Sequence, residues 1–354
     1  MEKAGRPRTL KKHNKNLIQK LIKEEGPITK PELSHLTHLS LPTVNKITDE
    51  LVAEGYAVED AIQKCPGAGR KARTYIVNEN FGTFAAVYYM GGKWLGYVVN
   101  ITGAITYKTQ CEAIHAECGS QVETLLNLLE LLLKQSSRSM GIGVGVPGIV
   151  RKDGRIEGIP LLPDFEGIYL SEMIKKRYGL PVCIENDVKL MTVGYRNLCL
   201  NNLDNIIFLY IGNGLGAGIL LNGTLYKGNG SFAGEFGYMP SGMNGGNLEK
   251  CLTFLRTKIK ENSENQEYKK QFCTEISKAL VYCITVINPE AVVIYCDEID
   301  ENTTKVIEKE IEKYIPRTCV PQVRYTSNPQ IGIDGLIYLC QEGVAQKNWF
   351  TDVS

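Results

Sequence analysis

Residues 28–56, ITKPELSHLTHLSLPTVNKITDELVAEGY, decide how the N-terminal part of this chain is built. They carry two helical patterns joined by a tight connection, one over Lys30–Leu36 and one over Pro42–Glu54. In the second, Val44, Ile47, Leu51 and Val52 recur at helical spacing on one face, while Thr43, Asn45, Lys46, Asp49 and Glu50 occupy the others. Ser40 stands where an N-cap belongs, Pro42 fits a first turn, and Gly55 is a stop signal. The outward-facing start, Ser40, Pro42, Thr43, Asn45 and Lys46, is short, polar and able to hydrogen-bond. A helix that reads base edges in a major groove needs that chemistry. An ordinary surface helical hairpin has the same periodicity, so the flanks decide.

Upstream, Leu10–Glu25 carries Leu17, Ile18, Leu21 and Ile22 at helical spacing and stops at Gly26-Pro27. Downstream, Tyr56–Asp60 and Arg73–Val77 read as paired strands around the basic, glycine-rich run Pro66–Lys71. Three helices and a cationic hairpin make a winged helix-turn-helix pattern. Arg70, Lys71 and Arg73 on such a wing can follow phosphates or enter a narrow minor groove. A solvated hairpin tip is the plainer reading of the same residues. His35 and His38 read as packing or phosphate neighbours, since no Cys or acidic partner has metal-ligand spacing.

The chain has 354 residues, enough for two or three domains, and a net charge of only +1. Its distribution says more. Residues 1–80 hold 14 Lys+Arg against 10 Asp+Glu, so a mildly basic head precedes a mildly acidic body. No apolar run approaches a membrane span, and no secretory signal opens the chain. The 11 cysteines lie mostly in apolar runs without a CxxC pair, which predicts reduced, buried thiols in a cytoplasmic protein.

The body, from residue 81, opens with Phe84–Asn100, two strands joined at Gly91-Gly92, then a third strand near Ile105–Glu112 and an apolar helix over Val122–Lys134. Met140–Val150 is a buried strand entering a Pro-Gly turn. This is the opening of an actin-like nucleotide-binding lobe. A helix over Ile168–Tyr178 and a strand over Leu180–Ile184 lead to Glu185-Asn186-Asp187. A carboxylate and an amide there can bind sugar hydroxyls, and Asp187 can act as a general base. Capping the helix that follows over Val188–Tyr195 is the simpler reading of the residues alone. Ile206–Asn222 is strand, Gly-rich turn, strand; its alternating Gly212, Gly214, Gly216 and Gly218 suit either a phosphate or a tight turn. Glu235 follows between glycines. A helix over Glu275–Asn288, a strand over Pro289–Cys296, and helices over Lys305–Tyr314 and Ile331–Val344 complete the chain. The shared strand-then-helix habit of two lobes points to a duplication.

Together these pieces resemble the ROK family (repressors, open reading frames, kinases), and its repressor branch in particular. The resemblance runs from about Leu10 to Val344 and rests on Ser40–Val44, Leu51–Gly55 and Gly69–Lys71 in the head. In the body it rests on Gly143–Gly148, Glu185–Asp187, Gly212–Gly218 and Ala233–Gly237. It implies an α/β chain: a winged helix-turn-helix at 1–80, then a two-lobed, actin-like (ribonuclease H-like) sugar kinase fold. The first lobe spans 81–190, completed by the C-terminal helix at 331–354, and the second spans 191–330. It further implies that Asn186, Asp187 and Glu235 line a sugar site, with Asp187 at the base position of the kinases. A sugar or sugar phosphate would gate binding to a double-stranded DNA operator by a homodimer or homotetramer.

The departures bear on chemistry. Family kinases carry Asp-x-Gly-Gly-Thr where this chain has Tyr89-Met90-Gly91-Gly92-Lys93, so the carboxylate and hydroxyl that serve magnesium and ATP are gone. The family's structural zinc uses one His and three Cys. Tyr238 stands at that His position and joins the expected ligand-binding set, while Cys251 alone remains of the cysteines. The expectation is a non-enzymatic regulator of sugar-utilisation genes with no metal and no cofactor. An active sugar kinase with an attached head, and a regulator whose body only dimerises, are the competing readings.

Overall fold

The computed structural model describes residues 7–64, 71–112, 120–198, 203–241, 246–262 and 266–346. In the head, α1 (Pro7–Glu25), β1 (Ile28–Thr29), α2 (Lys30–Thr37), α3 (Leu41–Ala53), β2 (Ala57–Lys64) and β3 (Lys71–Val77) form three helices on an antiparallel sheet ordered β1-β3-β2. Two local expectations need correction. Ser40 does not cap α3 with its side chain; the side-chain cap in this hairpin closes α2 instead, from Thr29. Thr29 Oγ1 accepts from the Glu32 amide at 3.3 Å while Glu32 accepts from the Thr29 amide at 2.8 Å, a reciprocal box that closes the start of α2. Ser40 sits at the N-cap of α3, but its hydroxyl faces that of Thr43 at 2.9 Å and caps nothing. The buried stripe of α3 is Val44, Ile47, Thr48 and Leu51, and Val52 is exposed. Spacings of three, four and seven keep one face, and the next residue turns past its edge.

The head is seated on the body rather than tethered to it. Ile18, Ile22, Val44, Leu51 and Tyr56 share one apolar cluster with Phe84, Ala86, Val99, Leu336 and Ile337. Tyr56 meets Phe81 edge-on at 5.5 Å, and Arg138 lies 4.5 Å over the other side of the junction, on the Phe81 ring. Fully burying side chains such as Ile18 and Ile22 contributes roughly 1.5–3 kcal/mol each.

The body holds two five-stranded sheets. In the first, β4 (Thr83–Met90), β5 (Lys93–Asn100) and β6 (Ile105–Glu112) form a meander, and β7 (Ser139–Val146) and β10 (Val182–Asn186) extend it in parallel. Its order is β10-β7-β4-β5-β6. In the second, β11 (Ile206–Ile211), β12 (Leu215–Leu221) and β13 (Thr224–Leu225) form the meander, extended in parallel by β14 (Ala291–Cys296) and β15 (Gln322–Thr326). That order, β13-β12-β11-β14-β15, is the first one repeated. A two-strand ribbon, β8 (Ile149–Val150) with β9 (Ile156–Glu157), follows β7. Helices α4 (Gln121–Lys134) and α5 (Leu170–Tyr178) belong to the first sheet, and α7 (Leu248–Glu261), α8 (Gln266–Ile287) and α9 (Glu301–Ile311) to the second. Neither α7 nor β15 was among the expected elements.

Between the sheets lie α6 (Asp187–Leu198) and α10 (Ile331–Gln346). Each follows the last strand of its own sheet and packs on the other one: α6 on β11 and β12, α10 on β4 and β7. They cross with almost no side chain between them. A Cβ on Gly194 would lie 1.8 Å from the Ile331 carbonyl oxygen, and one on Gly335 would lie 1.9 Å from that of Leu190. The division expected between residues 190 and 191 falls inside α6, which is one continuous helix.

Candidate functional site in the interlobe cleft and the head

At the end of β10 the chain delivers three polar residues in a row into the space between the sheets. Asn186 does two jobs. Its Oδ1 accepts from the Lys189 amide at 3.0 Å, capping α6, and its Nδ2 donates to the Gly148 carbonyl and to Asp187 Oδ1, both at 3.0 Å. Cap and site are therefore compatible at this position. Asp187 Oδ1 also accepts from the Val188 amide at 2.8 Å. Burial pushes the Asp187 carboxyl up to about 7, and the nearby charge of Glu235 pushes the same way. Burial also raises Glu235, opposed in part by Lys189. Asn186, Asp187 and Glu235 thus come together. Tyr238 is 62 % exposed, with its ring 5.4 Å from that of Phe232.

Four charged residues complete the cleft that no local spacing marks. Glu185 is buried and pairs with Lys227 across the lobes. Lys189 is fully buried and donates to the Ser231 carbonyl at 2.8 Å. Burial lowers its pKa, against the pull of Glu185 and Glu235. Arg151 donates to Glu157 at 2.6 Å and to the Gly230 carbonyl. Every cation in this group is already matched by a carboxylate or a carbonyl.

The other end of the cleft is aromatic. Tyr88 is buried against Gly145 and Gly332, its hydroxyl 3.4 Å from the Asp187 carbonyl oxygen. Tyr210 stacks on Tyr295 at 5.4 Å and 24°, and its hydroxyl occupies the notch left by Gly212. Arg256 donates to the Gly212 carbonyl and pairs with Glu298 at 2.9 Å. Farther along the glycine run, Gly216 and Gly218 are the seat of α6: a Cβ there would meet Val188 at 3.4 Å and Thr192 Oγ1 at 1.7 Å. Helix packing, rather than a phosphate, is the role the geometry gives these two glycines.

In the head, Ser40, Pro42 and Lys46 are exposed and Thr43 and Asn45 half-buried, all at the start of α3. The cations behind that helix are engaged: Lys30 with Asp49 at 2.6 Å and Lys11 with Glu50 at 3.0 Å. Arg73 bonds both oxygens of Glu59, at 2.7 and 2.9 Å, so it reaches a phosphate only by leaving that pair. Arg70 and the Lys71 side chain lie outside the described residues.

Two family models match the chain: a winged helix-turn-helix DNA-binding model at residues 14–57 and the ROK family model at residues 90–253. The chain belongs to the ROK family. It is 31 % identical over 245 residues to a xylose repressor of Caldicellulosiruptor bescii, covering 66 % of this chain and 60 % of that protein. It is 35 % identical over 156 residues to a beta-glucoside kinase of Listeria innocua, covering 44 % and 52 %. The chain thus spans about three fifths of the length of the repressor it matches. In fold it is similar to a ROK family transcriptional regulator described as a homologue of the Escherichia coli MLC protein. That likeness has a TM-score of 0.77 at 20 % identity and covers 96 % of this chain and 98 % of the other.

The positions at which this ROK chain departs from the kinase pattern have other work. Tyr89 is buried edge-on against Trp94 at 5.1 Å, and Lys93 pairs with Glu112 at 2.9 Å. Tyr238 is exposed, Cys251 is buried on the inner face of α7, and residues 242–245 lie outside the described residues. The eight described cysteines are free thiols. Among the described residues, no helix is long and apolar enough to cross a membrane.

Proposed function

We propose that this chain is a DNA-binding transcriptional repressor gated by a sugar in a cleft that has kept its hydroxyl-binding side and lost its phosphate side. The observation that carries the proposal is the contrast inside one cleft. Asn186, Asp187 and Glu235 converge as polar groups, while Tyr88 and Tyr210 fill the space beside them. Hydroxyl recognition needs acceptors held in place; phosphoryl transfer needs open room, a metal and donors at the phosphates. The name of the xylose repressor relative adds to this reading. The protein acts in the cytoplasm as a homodimer or homotetramer, since paired operator half-sites call for paired heads.

A mechanical route supports the gating. Asp187 opens α6, α6 crosses α10 at Gly194 and Gly335, and α10 packs with α1 in the core shared by head and body. A sugar that binds one arrangement of the lobes better than the other shifts α6 against α10, and with them the spacing of two heads. The kinase reading draws on the Listeria relative; against it stand Tyr89 and Lys93 at the expected positions of the kinase carboxylate and hydroxyl, the first packed on Trp94 and the second paired with Glu112.

The test is binding to duplex DNA from just upstream of its own gene at two salt concentrations, with and without a panel of sugars and sugar phosphates. The expected result is salt-sensitive binding that one sugar alters. Lys46→Ala weakens binding on every sequence and lowers the salt slope by about 1, while Asn45→Ala costs about 1–3 kcal/mol on the operator only. Binding that no compound alters leaves the body as a dimerisation module, and consumption of ATP with any sugar restores the kinase.

A further inference from the structure

The strap from Lys227 to Glu235 belongs to the second lobe and carries Glu235 into the cleft, yet the first lobe holds it at three points. Lys227 pairs with Glu185, Arg151 donates to the Gly230 carbonyl, and Lys189 donates to the Ser231 carbonyl at 2.8 Å. At the centre of this grip Ser231 is anomalous twice over. Its φ is 62°, in the left-handed region that favours glycine, on a strap where Gly228, Gly230 and Gly234 also have positive φ. Its side chain is 1 % exposed, and among the described residues its hydroxyl meets no hydrogen-bond partner. A glycine here would remove the backbone strain and the orphaned hydroxyl together. A residue that carries both costs where a smaller one fits better is an indicator of a role outside the empty fold.

We infer that Ser231 is a ligand-contact residue whose hydroxyl is satisfied by a hydroxyl of the sugar held between Asp187 and Glu235. The inference rests on the sugar-gated reading above. Its chemistry is that of the site: Asn186, Asp187 and Glu235 supply mostly acceptors, and a serine hydroxyl adds a group that both donates and accepts. The hydroxyl is sealed from solvent in the ligand-free arrangement, so the ligand meets it as the strap shifts in the grip of Lys189 and Arg151.

The experiment compares the full-length wild type with Ser231→Gly and Ser231→Ala. It measures thermal melting without ligand and calorimetric binding of D-xylose, D-glucose and glucose 6-phosphate. Ser231→Gly melts higher than wild type because strain and orphan are both gone, yet it binds the compound that wild type binds about tenfold more weakly. Ser231→Ala keeps the strain, does not gain that rise, and shows the same loss of affinity. Unchanged affinity in both variants overturns the inference and leaves the sugar reading intact. A lower melting point for Ser231→Gly also overturns it, because the hydroxyl then has a structural partner in the ligand-free protein. A wild type that binds none of the three compounds removes the sugar reading and this inference together. That case is told apart because wild type and variants are then equally silent.

Discussion

The two ends of the cleft have been built on opposite terms. At the polar end, the fold tolerates costs: a carboxyl raised to about 7, a second raised carboxyl, a buried lysine with a lowered pKa, and a serine at positive φ. At the aromatic end it collects gains: stacked Tyr210 and Tyr295, Tyr88 packed between two glycines, and Arg256 tied to Glu298. Desolvated polar groups lower stability and packed rings raise it. The difference teaches that the polar end is held at a cost to the fold and the aromatic end in its favour.

The strongest way to break that comparison is at the helix crossing that serves both ends. Gly194→Ala puts a Cβ 1.8 Å from a backbone oxygen, which no rotamer change relieves. The helices α6 and α10 must separate, and chemical denaturation reads a loss of about 4–5 kcal/mol, at the diagnostic end for a single substitution. A loss below about 1 kcal/mol means the crossing is looser than described and is no rigid link between cleft and head.

Asp187→Asn sharpens it next. The amide keeps the shape and loses the carboxylate acceptor, so sugar affinity falls about 100-fold while binding to DNA without sugar is unchanged. Stability moves the other way. The folded carboxyl titrates near 7 and its ordinary value is 3.8, so the folded chain holds this proton more tightly than the unfolded one. The wild type therefore loses stability as pH rises through that window. The gain from Asp187→Asn grows from near zero at about pH 4 to a plateau of roughly 2–4 kcal/mol above about pH 7. A gain that does not vary with pH removes Asp187 from the groups held neutral by burial.

The head was legible because its signals are local. Val44, Ile47 and Leu51 mark α3 by spacing alone, and the strands flank a basic loop. Asn186, Asp187 and Glu235 stand out in the sequence through motif order, two at a strand end and the third among glycines, and the structure sets the charge of Glu235 near Asp187. What stayed hidden is long-range. Arg151, the Glu185–Lys189 segment and Lys227 come from three places in the chain, and their pairings appear only once both sheets and the strap are assembled. Gly216 and Gly218 look like a phosphate loop until α6 is seated on them. Leu248, Cys251, Leu252, Leu255 and Ile259 spell an amphipathic helix, but treating Cys251 as what remains of a zinc-binding group hides that spacing. Thr29 caps α2 with its side chain because Glu32 answers it three residues on, whereas the hydroxyl of Ser40, at the N-cap of α3, turns to Thr43.

The smallest expected effect tests whether the two ends are separable at all. Tyr210→Thr removes the ring that stacks on Tyr295 and vacates the notch at Gly212. The lost stacking and burial cost roughly 1–2 kcal/mol of stability. Burial holds the Tyr210 hydroxyl up at about 12, so the ring is neutral in the wild type and its loss removes no charge from the neighbourhood of Asp187. Sugar affinity accordingly changes by less than about twofold. No ATP turnover appears, because Tyr89 stays packed on Trp94 and Lys93 stays paired with Glu112, leaving the metal without its carboxylate. A fall in sugar affinity as large as that of Asp187→Asn makes the tyrosines part of the sugar site, and the cleft is then one site rather than two.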